Sequence, residues 1–219
     1  MERALTREEA SRFASALYLN HLEKSARFEL HAVLDYDGTQ ASLVGELSWS
    51  TGIGRAMVVT SRPDFTLTEV YWSDSFVLER HPVVDQILND RGVSSPTYLR
   101  RPIDARRRID NLIQVVASLA AGQPENATLI RQKEGSSFLR SDDLRGEEVD
   151  VMRFGWQNIY WVSKQSGLLM RFEGRNSAGQ MPIIVDLQTD SNLAIPFPGE
   201  PNIIDIEQIP DIWSAINRP

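Results

Sequence analysis

The chain has 219 residues, 42% hydrophobic and 24% charged, with 23 lysine and arginine against 30 aspartate and glutamate residues, a net charge of −7. That balance argues against nucleic acid, whose phosphates call for a basic footprint. The lack of cysteine excludes disulfides, thiol catalysis, zinc–thiolate sites and a lipid-modified cysteine within these residues.

The length suits a single domain over residues 1–219, with a sizeable core or an internal cavity and no covalent staples. No run approaches the ~18 apolar residues of a membrane span. In chain order, Thr6-Arg-Glu-Glu9 is a capping box. The helix it opens is expected to run to about Lys24, with Ala10, Phe13, Ala14, Leu17, Tyr18 and Leu22 on one stripe. A dense series of strands follows. Phe28–Tyr36 alternates and turns at Asp37-Gly38; Ala41, Leu43, Gly45, Leu47 and Trp49 alternate with Ser42, Glu46 and Ser48. Arg55–Thr60, Leu67–Trp72 and Phe76–Arg80 read as further antiparallel strands, the last two turning about Ser73-Asp74.

His81–Arg101 lacks periodicity, apart from a helical turn at Val83–Leu88, and reads as a long loop of the kind that serves as a lid. A second helix is expected over Ala105–Ala121, presenting Ile109, Leu112, Ile113, Val116 and Leu119 and stopped by Gly122 and Pro124. Strand patterns resume at Ala127–Gln132, Ser137–Leu144, Glu147–Phe154 and Ile159–Val162. After a turn at Gly167, Leu168–Gly174 alternates Leu169, Arg171 and Glu173 against Leu168, Met170 and Phe172, and Ile183–Leu187 follows a turn at Asn176–Gly179. Residues 192–219 form a proline-rich tail with a short helix at Pro210–Ile216. Gly45 and Gly174, inside strands, suit bends that curve a sheet.

Catalytic patterns are thin. His21, His31 and His81 are the only histidines, and no metal-ligand spacing, phosphate loop or nucleophile elbow occurs. The acidic pairs Asp142-Asp143 and Glu147-Glu148 flank a turn at Leu144-Arg145-Gly146 and read as solvated. Arg100, Arg101 and Arg106–Arg108 read as a solvated loop and helix start, an anionic partner being the sharper alternative. The expectation is no enzyme, no cofactor and no metal. Wide apolar side chains do recur, either as an ordinary sheet core or as the lining of a cavity between sheet and helices.

The order of helix, long meander, inserted helix and second meander is similar to the LolA/LppX-like lipoprotein carriers. Leu5-Thr6-x-x-Glu9-Ala10, Gly45-x-Leu47-x-Trp49, Asp110-x-Leu112, Leu119-Ala120-Ala121-x-x-Pro124-Glu125-Asn126-Ala127, Tyr160-Trp161-Val162, Gly167-x-Leu169-x-Arg171-x-Glu173 and Val185-Asp186-Leu187 resemble a group of uncharacterised actinobacterial envelope proteins. The resemblance implies a half-barrel fold and an extracytoplasmic, envelope-associated domain, with membrane association through an N-terminal segment absent from this chain. The expected fold is therefore α+β: a strongly curved antiparallel sheet with two main helices on its concave face. The expected function is non-catalytic binding of a lipid or lipoglycan, walled by Phe13, Leu17, Leu30, Trp49, Met57, Tyr71, Trp72, Leu112, Val116 and Trp161. The alternative is a solid-core module that binds a protein partner.

Overall fold

The computed structural model describes residues 2–33, 39–62, 66–93, 97–175 and 182–216. The capping box forms: the Glu9 N–H donates to Thr6 Oγ1 at 3.2 Å, and the Thr6 N–H to Glu9 Oε2 at 2.8 Å. It opens α1 (Arg7–Glu23), which stops where Lys24 takes a φ of 69°. The strands are β1 (Ser25–Val33), β2 (Gln40–Ser48), β3 (Ile53–Thr60), β4 (Glu69–Trp72), β5 (Phe76–Arg80) and β6 (Tyr98–Pro102), then β7 (Ser137–Leu144), β8 (Glu147–Phe154), β9 (Asn158–Ser163), β10 (Leu169–Arg175), β11 (Pro182–Thr189) and β12 (Ile203–Asp205). They make one sheet of 12 strands in the order β12-β6-β5-β4-β3-β2-β1-β11-β10-β9-β8-β7. Every pairing is antiparallel except β12 on β6. The two meanders meet at the β1–β11 seam, where Ala26 lies opposite Thr189 and Ala32 opposite Ile183. The fold is α+β.

Several local expectations need correction. The loop expected over residues 81–101 contains α2 (Pro82–Asp90) and the start of β6. Pro82 sits in the first turn, where its missing N–H costs nothing, and extended His81 precedes it. Residues 127–132 form a helix, α4 (Ala127–Gln132), not a strand. Asn126 caps it, its Oδ1 accepting from the Thr128 N–H at 2.9 Å. The second expected helix is shorter than read, α3 (Arg108–Ala117), and α5 (Pro210–Ile216) ends the described chain. The turns expected at Asp37-Gly38 and Asn176–Gly179 lie outside the described residues.

Period-two alternation gives the sheet two faces. On one face Phe28, Leu30, Leu43, Leu47, Val70 and Trp72 join Phe13 of α1 and Ile109, Leu112 and Val116 of α3 in a single buried cluster. At Gly45, on β2 opposite Phe28, an added Cβ would fall 2.0 Å from the carbonyl oxygen of Arg55. Only glycine allows that approach of β2 to β3.

The other face is covered at its two ends. At one end Leu144, Val149, Val151 and Trp161 pack together. There Arg145, at the β7–β8 turn, donates to the Leu187 carbonyl at 3.3 Å and pairs with Asp186 at 3.0 Å on β11. At the other end Phe197 of the tail packs edge-on against Tyr71 and Phe76, with ring centroids 5.6 and 5.9 Å apart.

Candidate functional site

The ten residues expected to line a cavity divide between the two faces. Phe13, Leu30, Trp72, Leu112 and Val116 are buried in the helix-side cluster, with Leu17 and Trp49 half-buried against it. Leu30 and Val116 retain no accessible surface, and Phe28 and Trp72 meet with ring centroids 6.1 Å apart. The indole N–H groups of Trp49 and Trp72 are buried there without an acceptor.

Met57, Tyr71 and Trp161 face the other way. Tyr71 precedes Trp72 on β4, so a strand cannot turn both to one face. Tyr71 packs edge-on against Tyr98 at 5.4 Å. Trp161 sits between the guanidinium groups of Arg140 and Arg171, 5.1 and 5.3 Å from its ring.

Between the two covered ends, the middle of this second face is open. Met57 is 46% exposed; Val44, directly opposite it on β2, is 51% exposed, and Val59, two residues along β3, is 65% exposed. A cleft of about 480 Å³ runs over Val44 and Met57, edged by Arg27, Glu46, Arg55 and Arg145. A second, of about 470 Å³, lies over Val59, Ile184, His31 and Ser42. The surrounding charges are paired: Arg27 with Asp190 at 3.2 Å, Arg55 with Glu69 at 2.8 Å, Arg171 with Asp186 at 2.7 Å. The rim therefore offers hydrogen bonds without a strong field of either sign.

Sequence reading singles out Met57 but passes over Val44 and Val59. The signal is present in the residues. In β2, Val44 stands in the phase otherwise held by Ser42 and Glu46, and an apolar residue out of phase marks an exposed apolar surface.

A second constellation is buried beside α3. Arg101 donates to both oxygens of Asp110 at 2.6 and 2.7 Å and to Glu79 at 2.5 Å. Arg107 reaches Glu79 at 3.1 Å, His81 Nε2 lies 3.2 Å from Glu79, and Thr66 Oγ1 lies 2.8 Å from His81 Nδ1. The order hydroxyl, imidazole, carboxylate resembles a hydrolytic relay. Burial works to raise the pKa of Glu79, but the His81 hydrogen bond and the charges of Arg101 and Arg107 outweigh it and hold the pKa at about 2. A carboxylate so held takes no proton near neutral pH, and the group ties β5, β6 and α3 together. Among the described residues no cluster of histidine, aspartate and glutamate could hold a metal ion.

No protein-family model and no curated protein matches the chain. Solved structures do resemble it. LprF from Mycobacterium bovis is 10% identical over 90% of this chain and 100% of its own, with a TM-score of 0.49. Lipoprotein LppX from Mycobacterium tuberculosis is 8% identical over 86% and 95%, with a TM-score of 0.49. An uncharacterized conserved protein from Thermus thermophilus is 7% identical over 91% and 96%, with a TM-score of 0.43. The likeness is one of fold. At these identities and TM-scores it passes no ligand or partner to this chain.

Proposed function

We propose that this chain is a non-catalytic binding domain of the cell envelope, held outside the cytoplasm, which takes a hydrophobic lipid or lipoglycan across the open middle of its sheet. One observation carries the reading. Val44, Met57 and Val59 stand exposed side by side in the uncovered middle of this face, with the half-buried Ile184 beside them. Monomeric proteins seldom leave such a patch without a use, and acyl methylenes laid on it would contribute about 0.8 kcal/mol each. The half-barrel curvature, with α1 and α3 in its hollow, belongs to the same proposal. It is supported by a single cluster that takes side chains from both helices and from β1–β5 and β8–β11. The burial of Leu30, Trp72, Leu112 and Val116 beneath the helices supports the open face over an internal cavity.

A second reading rests on the buried indole N–H groups of Trp49 and Trp72, which an oxygen of a ligand could satisfy if α1 and α3 moved off the sheet. Native mass spectrometry of the purified protein, followed by organic extraction, separates the two. A co-purifying lipid lost in Met57→Glu supports the open face. A lipid lost in Leu17→Glu but kept in Met57→Glu moves the site beneath the helices. A clean mass that does not shift when phospholipid is added overturns both and leaves a solid-core module for a protein partner.

A further inference from the structure

A separate apolar surface lies at the tip of the β8–β9 hairpin. Trp156 is 70% exposed there, and Leu129, on the neighbouring α4, is 64% exposed. Tryptophan is highly buried on average, so an indole this exposed is uncommon. The remaining tryptophans, at 49, 72, 161 and 213, are all buried or half-buried.

The tip is held in place. Gly135 lies so close beneath it that an added Cβ would meet Gly155 at 2.8 Å and the Trp156 ring at 3.0 Å. The Lys133 ammonium sits 4.4 Å from the centre of the Phe154 ring, and Lys133 lines the same cleft as Trp156. Leu129 is one helical turn before Lys133, whose N–H donates to the Leu129 carbonyl at 2.9 Å, so the two share a face. Arg131 lies between them and donates to the Leu5 carbonyl. Among the described residues neither Lys133 nor Arg131 pairs with a carboxylate. Glu134 is the only acid lining the cleft.

An exposed indole and leucine beside a lysine that no carboxylate pairs suit the boundary between lipid headgroups and acyl chains. There the rings are half-solvated and the cations meet phosphate. We infer that the Trp156 tip, with Leu129 and Lys133, is a docking element for an anionic phospholipid surface. It lies apart from the Val44–Met57–Val59 strip and does not depend on any ligand bound there. Among the described residues no helix is long and apolar enough to cross a membrane.

Flotation with vesicles of phosphatidylcholine alone, and of phosphatidylcholine mixed equally with phosphatidylglycerol, tests it. The chain should float with the mixed vesicles, several-fold less with phosphatidylcholine alone, and less as salt is raised. Trp156→Ala and Leu129→Ser should each weaken partitioning by about tenfold or more, and Lys133→Gln should reduce the preference for the mixed vesicles. All these positions are at the surface, so thermal unfolding should match the parent chain, and Met57→Glu should float unchanged. No flotation with either vesicle, equal flotation with both, Trp156→Ala floating as well as the parent, or loss in Met57→Glu alone would overturn the inference.

Discussion

Asn20 and Leu169 pair as two neighbouring strands would, although one is a side chain on a helix. The Leu169 N–H donates to Asn20 Oδ1 at 3.0 Å, and Asn20 Nδ2 donates to the Leu169 carbonyl at 3.2 Å. The register of β10 against β9 shifts between Leu169 and Arg171, and the wholly buried amide of Asn20 completes the main-chain bonding at that irregularity.

Replacing Asn20 with alanine leaves a buried N–H and a buried carbonyl without partners, each costing about 1–3 kcal/mol. Asn20→Ala should therefore lose roughly 2–4 kcal/mol in urea unfolding. A loss below about 0.5 kcal/mol, the range of ordinary surface changes, would mean that the amide does not anchor α1 to β10.

Gly54 provides the floor on which Trp72 lies: a Cβ there would fall 1.9 Å from Cζ2 of the indole. Gly54→Ala should displace the ring from the core, costing about 1–3 kcal/mol as overpacking does, with a changed near-ultraviolet dichroism. An unchanged spectrum and stability would place the indole elsewhere.

Stability should fall in acid through Glu79. Its pKa is depressed in the fold, so its stabilisation is complete above the ordinary value of 4.5 and is lost as pH drops from there to about 2. The loss should be on the order of 3 kcal/mol. Unfolding in urea across that window should show the slope, and Glu79→Gln should flatten it. A parent chain no steeper than the variant would show that the carboxylate is not held by Arg101 and Arg107.

The first helix rests on its cap. Thr6→Ala should cost about 1 kcal/mol, read as a lower melting temperature. An unchanged melting temperature would mean that the Arg3–Glu9 pair, at 2.6 Å, secures this end of α1 without the hydroxyl.

How far these features can be read from residue order depends on the range of the physics. The capping box at Thr6, the strands from β1 to β5 and the helix at Pro210–Ile216 follow from local chemistry and periodicity. The helix at Ala127–Gln132 reads as a strand because its short apolar run carries no distinguishing period, and its one clear signal is Asn126 as a cap. Strict alternation sets Leu169 and Phe172 on opposite faces, yet both are buried in the helix-side cluster because the register shift intervenes. Of the expected binding residues, phase alone groups Phe13, Leu30 and Leu112. It does not show that Trp161 is covered by the β7–β8 hairpin, since that depends on where Arg145 lands.

The seam between β1 and β11 also sets an order of events for the growing chain. Each meander joins neighbours in sequence and can zip up as it emerges, but Ala26 must wait for Thr189. Until then β1 and β11 each present a bare edge, with unpaired amides open to any passing strand. Closing that seam, the longest-range pairing in the sheet, is the slow step that contact order predicts. The half-finished sheet, more than the finished one, is where this protein is most exposed to aggregation.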